Sequence, residues 1–364
     1  MLKDRAQKQL ALRFAVANRW FPQLEVDVHP ERALSARAPL VTDLDVLASI
    51  PDQFRGYRSV VFDCKTRSHE SPVNRALWLA GVLERMESDQ GFCILRKDTI
   101  ELDHRLFANR INVILLSEDE FELYARSTCR GFSGDLGHVS DITKWEALTG
   151  ITQRYPKLEG ALKFIRSTFW MSDDSAEACR KVLAELKAIQ PELDPSKPEH
   201  VALFLEFCSL FGQSLAVVVC QIFRAYLHPA NQGTLSDALL VLLYGGREAY
   251  EHRNELFRLI RNKTPETTPS KLSLPEWEKF IQLVRQCLDA PLELARTPLI
   301  LREVGFSLLA GDKARAFAAV LCSESSQGAR FATLIPAYLA RATRLPPDFA
   351  READEAILPL IRVK

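Results

Sequence analysis

The stretch RSVVFDCKTRS, residues 58–68, decides how this chain is read. Val60, Val61 and Phe62 look like a strand about to be buried. Asp63 and Lys65 follow at once, where a core strand should carry no charge. Residues two apart in a strand share a face. Asp63 and Lys65 therefore project one way, and Phe62 and Cys64 point into the opposite layer.

The preceding segment TDLDVLA, residues 42–48, repeats the arrangement. Asp43, Asp45 and Leu47 share one face, and Leu44 and Val46 share the other. In an antiparallel hairpin of the two strands, Asp45 and Asp63 would lie side by side. Carboxylates that close repel unless a proton or a cation sits between them. A hard dication such as Mg²⁺, or Mn²⁺ in its place, suits an oxygen-only pair. A lysine beside it would hold a water and neutralise charge that develops on a phosphate.

An acid-x-Lys triplet alone carries no message. A second one, Glu185-Leu186-Lys187, falls inside an amphipathic helical segment and reads as a solvated face. The plain alternative for Asp63-Cys64-Lys65 is a strand-end ion pair without chemistry. Its context sets it apart.

Around the pair the chain reads α-β-β-β-α-β-α-β-α: helix 2–19, strands 24–28, 39–50 and 57–65, helix 73–88, strand 91–97, helix 101–110, strand 112–117 and helix 118–126. That order implies a mixed sheet with helices on both faces. Residues 127–141, STCRGFSGDLGHVSD, hold three glycines and little periodicity and read as a linker. Everything from 142 to 364 reads as helix, with a Pro- and Thr-rich break at 263–276 where this all-helical domain subdivides.

LDVLA followed by RSVVFDCKTRS resembles the core of the PD-(D/E)xK nuclease superfamily, in its restriction-endonuclease-like and Holliday-junction-resolvase-like members. HRLFANRINVILLSEDEF, residues 104–121, looks like that family's closing helix, strand and helix. The resemblance covers residues 1–126. It implies a mixed four-stranded sheet flanked by helices, and a metal-dependent DNA endonuclease. Asp45 and Asp63 would ligate the metal with the main-chain carbonyl of Cys64, and Lys65 would be the catalytic lysine. The family often has a glutamate on its first helix; here that face offers Gln7, which adds no charge. Asp43 reads as a solvated residue of the outer strand or, on the cleft face, as support for a second cation or a bound water, and Arg67 as a surface arginine or a contact for a backbone phosphate at the cleft rim.

Composition limits the partners. Lys+Arg and Asp+Glu both number 47, for a formal net charge of zero. A protein that coats nucleic acid is usually basic, so any DNA contact must be local or supplied by a partner. The eight cysteines are scattered, with no C-x-x-C pair, as in reduced cytoplasmic proteins. The start MLKDRAQKQ has no apolar signal region. The apolar run 201–223 is interrupted by Glu206, Gln213 and Gln221 and reads as a buried helix, so no membrane is expected. No phosphate-binding Gly-rich loop with its lysine is present, so ATP would have to be bound by another chain. The expectation is thus a DNA nuclease acting as a homodimer or with a DNA-sensing or ATP-driven partner, as in bacterial defence or DNA processing. The alternative is a catalytically inactive nuclease-like scaffold whose helical half binds a protein.

Overall fold

The computed structural model describes residues 3–30, 39–65, 71–96, 99–172, 174–227, 231–261 and 272–361. Arg67 and most of the 263–276 segment lie outside them. The chain divides into two compact units. The first comprises Met1–Asp52, Tyr57–Met171 and Arg302–Val320; the second comprises Gln53–Gly56, Ser172–Leu301 and Leu321–Lys364.

The first unit is built on α1 (Arg5–Ala17), β1 (Phe21–Val28), β2 (Thr42–Asp52), β3 (Gly56–Lys65), α2 (Pro72–Arg85), β4 (Gln90–Leu95), α3 (Leu102–Arg110), β5 (Val113–Ser117) and α4 (Glu118–Thr128). The strands lie side by side in chain order in one sheet. This is a five-stranded mixed sheet, the number that the element order gives and one more than the resemblance implies. β1 and β2 are antiparallel, and β3–β4 and β4–β5 are parallel. The parallel pairs are joined through α2 and α3, because a parallel crossover needs a helix-length connection.

One face of the sheet is aromatic. Phe14 of α1 meets Phe62, Phe92 and Phe121 at ring-centroid distances of 6.2, 6.0 and 5.5 Å, and Phe62 stacks on Phe92 at 5.1 Å. Each edge-to-face pair is worth about 0.5–1.5 kcal/mol beyond the area it buries, so the quartet fixes α1 on the sheet. On the other face Val61, Cys93 and Leu115 pack with Ala76, Leu79 and Leu83 of α2. A Cβ at Gly91 would come within 2.6 Å of Leu79 Cδ2, so β4 and α2 approach this closely only over a glycine. Ser117 ends β5 and caps α4: its hydroxyl accepts from Glu120 N, and the Glu120 carboxylate accepts from Ser117 N.

Residues 127–141, expected as a linker, belong to this unit. Phe132, Leu136 and Val139 are buried. Arg13 donates to the carbonyls of Phe132 (2.8 Å) and Gly134 (3.0 Å), and the Trp145 indole donates to Val139 O at 2.9 Å. Three glycines gave the segment its linker-like composition, but its sparse apolar residues are all used. Arg302 is fully buried beside the same core, 3.9 Å over the Phe21 ring and 4.9 Å over Trp145, and donates to Gln23 Oε1 at 3.1 Å. The sheet unit thus recruits residues far beyond 126.

The second unit is helical. Its centre is Pro198–Tyr226, 29 residues long. By length and composition this helix could cross a membrane, but 89% of its most apolar window is buried inside the chain, as in a core helix. Phe204 packs on Phe349 and Phe211 on Tyr338, which ties it to helices Asp348–Ile361 and Ser326–Ala342.

Candidate metal and phosphate site

β2 and β3 bring Asp45, Asp63 and Lys65 together. Lys65 Nζ lies 3.4 Å from Asp45 Oδ2 and 3.4 Å from Asp63 Oδ1. Both carboxylates are 2% exposed and the lysine 21%. Val60–Phe62 supply the strand that carries Asp63 inward, and Leu44 and Val46 do the same for Asp45. Cys64 joins through its main-chain N–H, which donates to Asp45 Oδ2 at 2.7 Å. The role expected of Cys64 was for its carbonyl.

Four further charged residues complete the cluster, and the sequence reading had passed over all of them. Lys8 of α1, 2% exposed, lies 2.9 Å from Asp45 Oδ1 and also pairs with Glu25. The β1–β2 register, Leu24 opposite Val46 and Val26 opposite Leu44, sets Glu25 across from Asp45. Like charges in that position repel unless a cation bridges them, and Lys8 is the bridge. Glu25 has a left-handed φ of 57°, a costly conformation for a residue with a side chain. Arg166 Nη2 lies 3.7 Å from Glu25 Oε2 and 2.9 Å from Asp27 Oδ1. At the other end Arg75 of α2 grips Asp63 with two donors, Nε to Oδ2 at 2.5 Å and Nη2 to Oδ1. The result is a chain of alternating charge: Arg166, Glu25, Lys8, Asp45, Lys65, Asp63, Arg75.

The charges shape each other's proton affinity. Burial pushes the Asp45 carboxyl up, and Lys65 and Lys8 pull it back. Burial works against the Lys8 ammonium, but Asp45 and Glu25 outweigh it and hold Lys8 above its ordinary value. Lys65 is held up in the same way, by Asp63 first and then Asp45. Burial, then the neighbouring carboxylates, raise the Cys64 and Cys93 thiols, so neither is a thiolate nucleophile.

Two supporting residues fall elsewhere. Asp43 is exposed on β2, opposite Asp27, and is not part of the cluster. Gln7 is buried, but its amide donates to Glu118 Oε2 at 2.9 Å, and its buried Oε1 has no hydrogen-bond partner among the described residues. On α1 it is Lys8, one residue on, that reaches Asp45. A helical stripe could have flagged it, since Lys8, Ala11, Leu12 and Ala15 share one face and all are buried.

The donor set suits a hard dication. Mg²⁺ keeps several waters and takes one or two protein carboxylates, not a full protein cage. Asp45 and Asp63, bridged by one amine, meet that requirement. Among the described residues no group of three or more His, Cys, Asp and Glu side chains forms a larger cage. All four carboxylate oxygens already meet protein donors: Lys8 at Asp45 Oδ1, Cys64 N and Lys65 at Asp45 Oδ2, and Arg75 at both oxygens of Asp63. A dication entering here therefore exchanges with a side-chain cation.

No protein-family model, no curated protein and no solved structure matches this chain.

Proposed function

We propose that the first unit is a restriction-endonuclease-like, metal-dependent DNA endonuclease domain of the PD-(D/E)xK type. The observation that carries the reading is the position of Lys65 Nζ, 3.4 Å from each of the two buried carboxylates. Asp45 and Asp63 are the residues to hold the cation. When bound, Mg²⁺ or Mn²⁺ would polarise the scissile phosphate and lower the pKa of a bound water. Lys65 is partly exposed, so its ammonium faces both the carboxylates and the approach from solvent. There it positions the attacking water and neutralises charge that develops on the phosphate. Lys8 stays with Asp45 and Glu25 as the positive charge between the two acids. The zero net charge of the chain supplies no long-range field for DNA. We therefore assign substrate delivery to the helical unit, through a homodimer or a DNA-sensing or ATP-driven partner, in the cytoplasm.

One observation favours a second reading. The carboxylates are already satisfied by Lys8, Arg75 and a main-chain N–H, as in a self-neutralised, catalytically inactive scaffold whose helical half binds a protein. Incubating the purified protein with linear, circular and single-stranded DNA in Mg²⁺, Mn²⁺ or EDTA separates the two. Cleavage that EDTA abolishes supports the nuclease; no cleavage of any substrate in either metal supports the scaffold.

A further inference from the structure

The two cations that compensate the carboxylates from the helices are not equivalent. Lys8 is 2% exposed and enclosed by two acids. Arg75 is 15% exposed and stands at the rim. It occupies the first turn of α2, just after Pro72, where the helix dipole disfavours a cation. Asp63 offsets that cost. The guanidinium fork takes both Asp63 oxygens and lies 3.7 Å over the Trp78 ring, one helical turn further along. A two-pronged, charge-assisted grip of this kind fixes the plane of the carboxylate as a metal ion would.

We propose that Arg75 is a tethered counter-ion that competes with a divalent cation for Asp63 and thereby sets the metal affinity of the site. The inference rests on the nuclease reading above and adds its regulation. In the resting state the fork occupies both Asp63 oxygens. A dication binds only as Arg75 swings off, and the rim position gives it water to swing into. Lys8, enclosed, remains as the fixed charge of Asp45. Metal binding then costs the Arg75–Asp63 pair, and removal of the arginine abolishes that cost.

Calorimetric titration of Mn²⁺ into the full chain tests this. Arg75→Ala is expected to bind Mn²⁺ at least about tenfold tighter than the parent, or about 1.4 kcal/mol, close to the lower end of what one charge-assisted pair contributes. Arg75→Lys, which keeps the charge but loses the fork, is expected to fall between them. It also serves as the test if Arg75→Ala does not fold by circular dichroism. Asp63→Asn and Asp63→Asn/Arg75→Ala are expected to lose the site. Mn²⁺ binding that depends on Asp63 but is unchanged or weaker in both Arg75 variants overturns the role of Arg75 and leaves the metal reading intact. Absence of Mn²⁺ binding from the parent and from both Arg75 variants overturns the metal reading, and this proposal with it.

Discussion

Lys8 Nζ lies 2.9 Å from Asp45 Oδ1, and each side chain is 2% exposed. A buried pair of this kind adds little net stability while intact, but it is costly to break from one side. Lys8→Met should therefore destabilise the protein by about 3–5 kcal/mol, because Asp45 and Glu25 are left facing each other without their bridge. Urea denaturation measures it; a loss under about 1 kcal/mol, the level of an exposed pair, would show that Lys8 is not enclosed.

The pH dependence of that contribution has a definite sign. The folded-state pKa of Lys8 is held above its ordinary value of 10.5, so its stabilisation is fully present below about 10.5 and is lost as the pH rises further. The stability difference between parent and Lys8→Met should be flat from pH 6 to 9 and shrink above pH 10.5. A difference that already shrinks near neutrality contradicts the assignment.

The two carboxylates should differ when neutralised. Asp45→Asn leaves the enclosed Lys8 with Glu25 as its remaining acid, whereas Asp63→Asn takes one partner from Arg75, which is 15% exposed and can turn to water. The cost at Asp45 should be clearly larger than the cost at Asp63. Equal losses in parallel urea melts would contradict the contrast in burial.

Glu303 offers a second pH signature away from the site. Burial pushes its carboxyl up to about 8, although main-chain N–H groups of His138 and Val139 donate to it and pull it down. A folded pKa above the unfolded one means stability that is present at low pH and lost as the pH rises through about 8. Glu303→Gln should gain relative to the parent between pH 5 and 8. If its stability relative to the parent stays constant across that range, Glu303 is ionised throughout.

Residues 127–141 should resist limited proteolysis, and a fragment 1–126 should not fold alone. Truncation at 126 removes Phe132, Val139, Trp145 and Arg302 from the core of the sheet unit. Circular dichroism of the fragment checks this; a cooperative melt would place the boundary at 126 after all.

How far the sequence could be read is clear from particular residues. The element order followed from periodicity, and the Asp45, Asp63 and Lys65 set followed from strand parity, because both depend on near neighbours along the chain. Lys8, Glu25, Arg75 and Arg166 escaped because each reaches the cluster from another element, where spacing along the chain has no bearing. Glu25 becomes visible only once the β1–β2 register sets it opposite Asp45. Lys8 escaped for a second reason as well: a lysine inside an apolar helical stripe reads as an interruption until a buried acid is known to face it. The linker at 127–141 misled through composition, since three glycines outweighed three apolar residues that turned out to be buried.

The nuclease reading stands or falls with Lys65. Plasmid DNA incubated with the parent and with Lys65→Ala in Mg²⁺, with Mn²⁺ affinity measured alongside, is the most direct test. Cleavage by the parent, slowed by about 10² or more in Lys65→Ala while Mn²⁺ still binds, is the predicted result. Cleavage at the parent's rate in Lys65→Ala, or no metal-dependent cleavage by the parent, would contradict it.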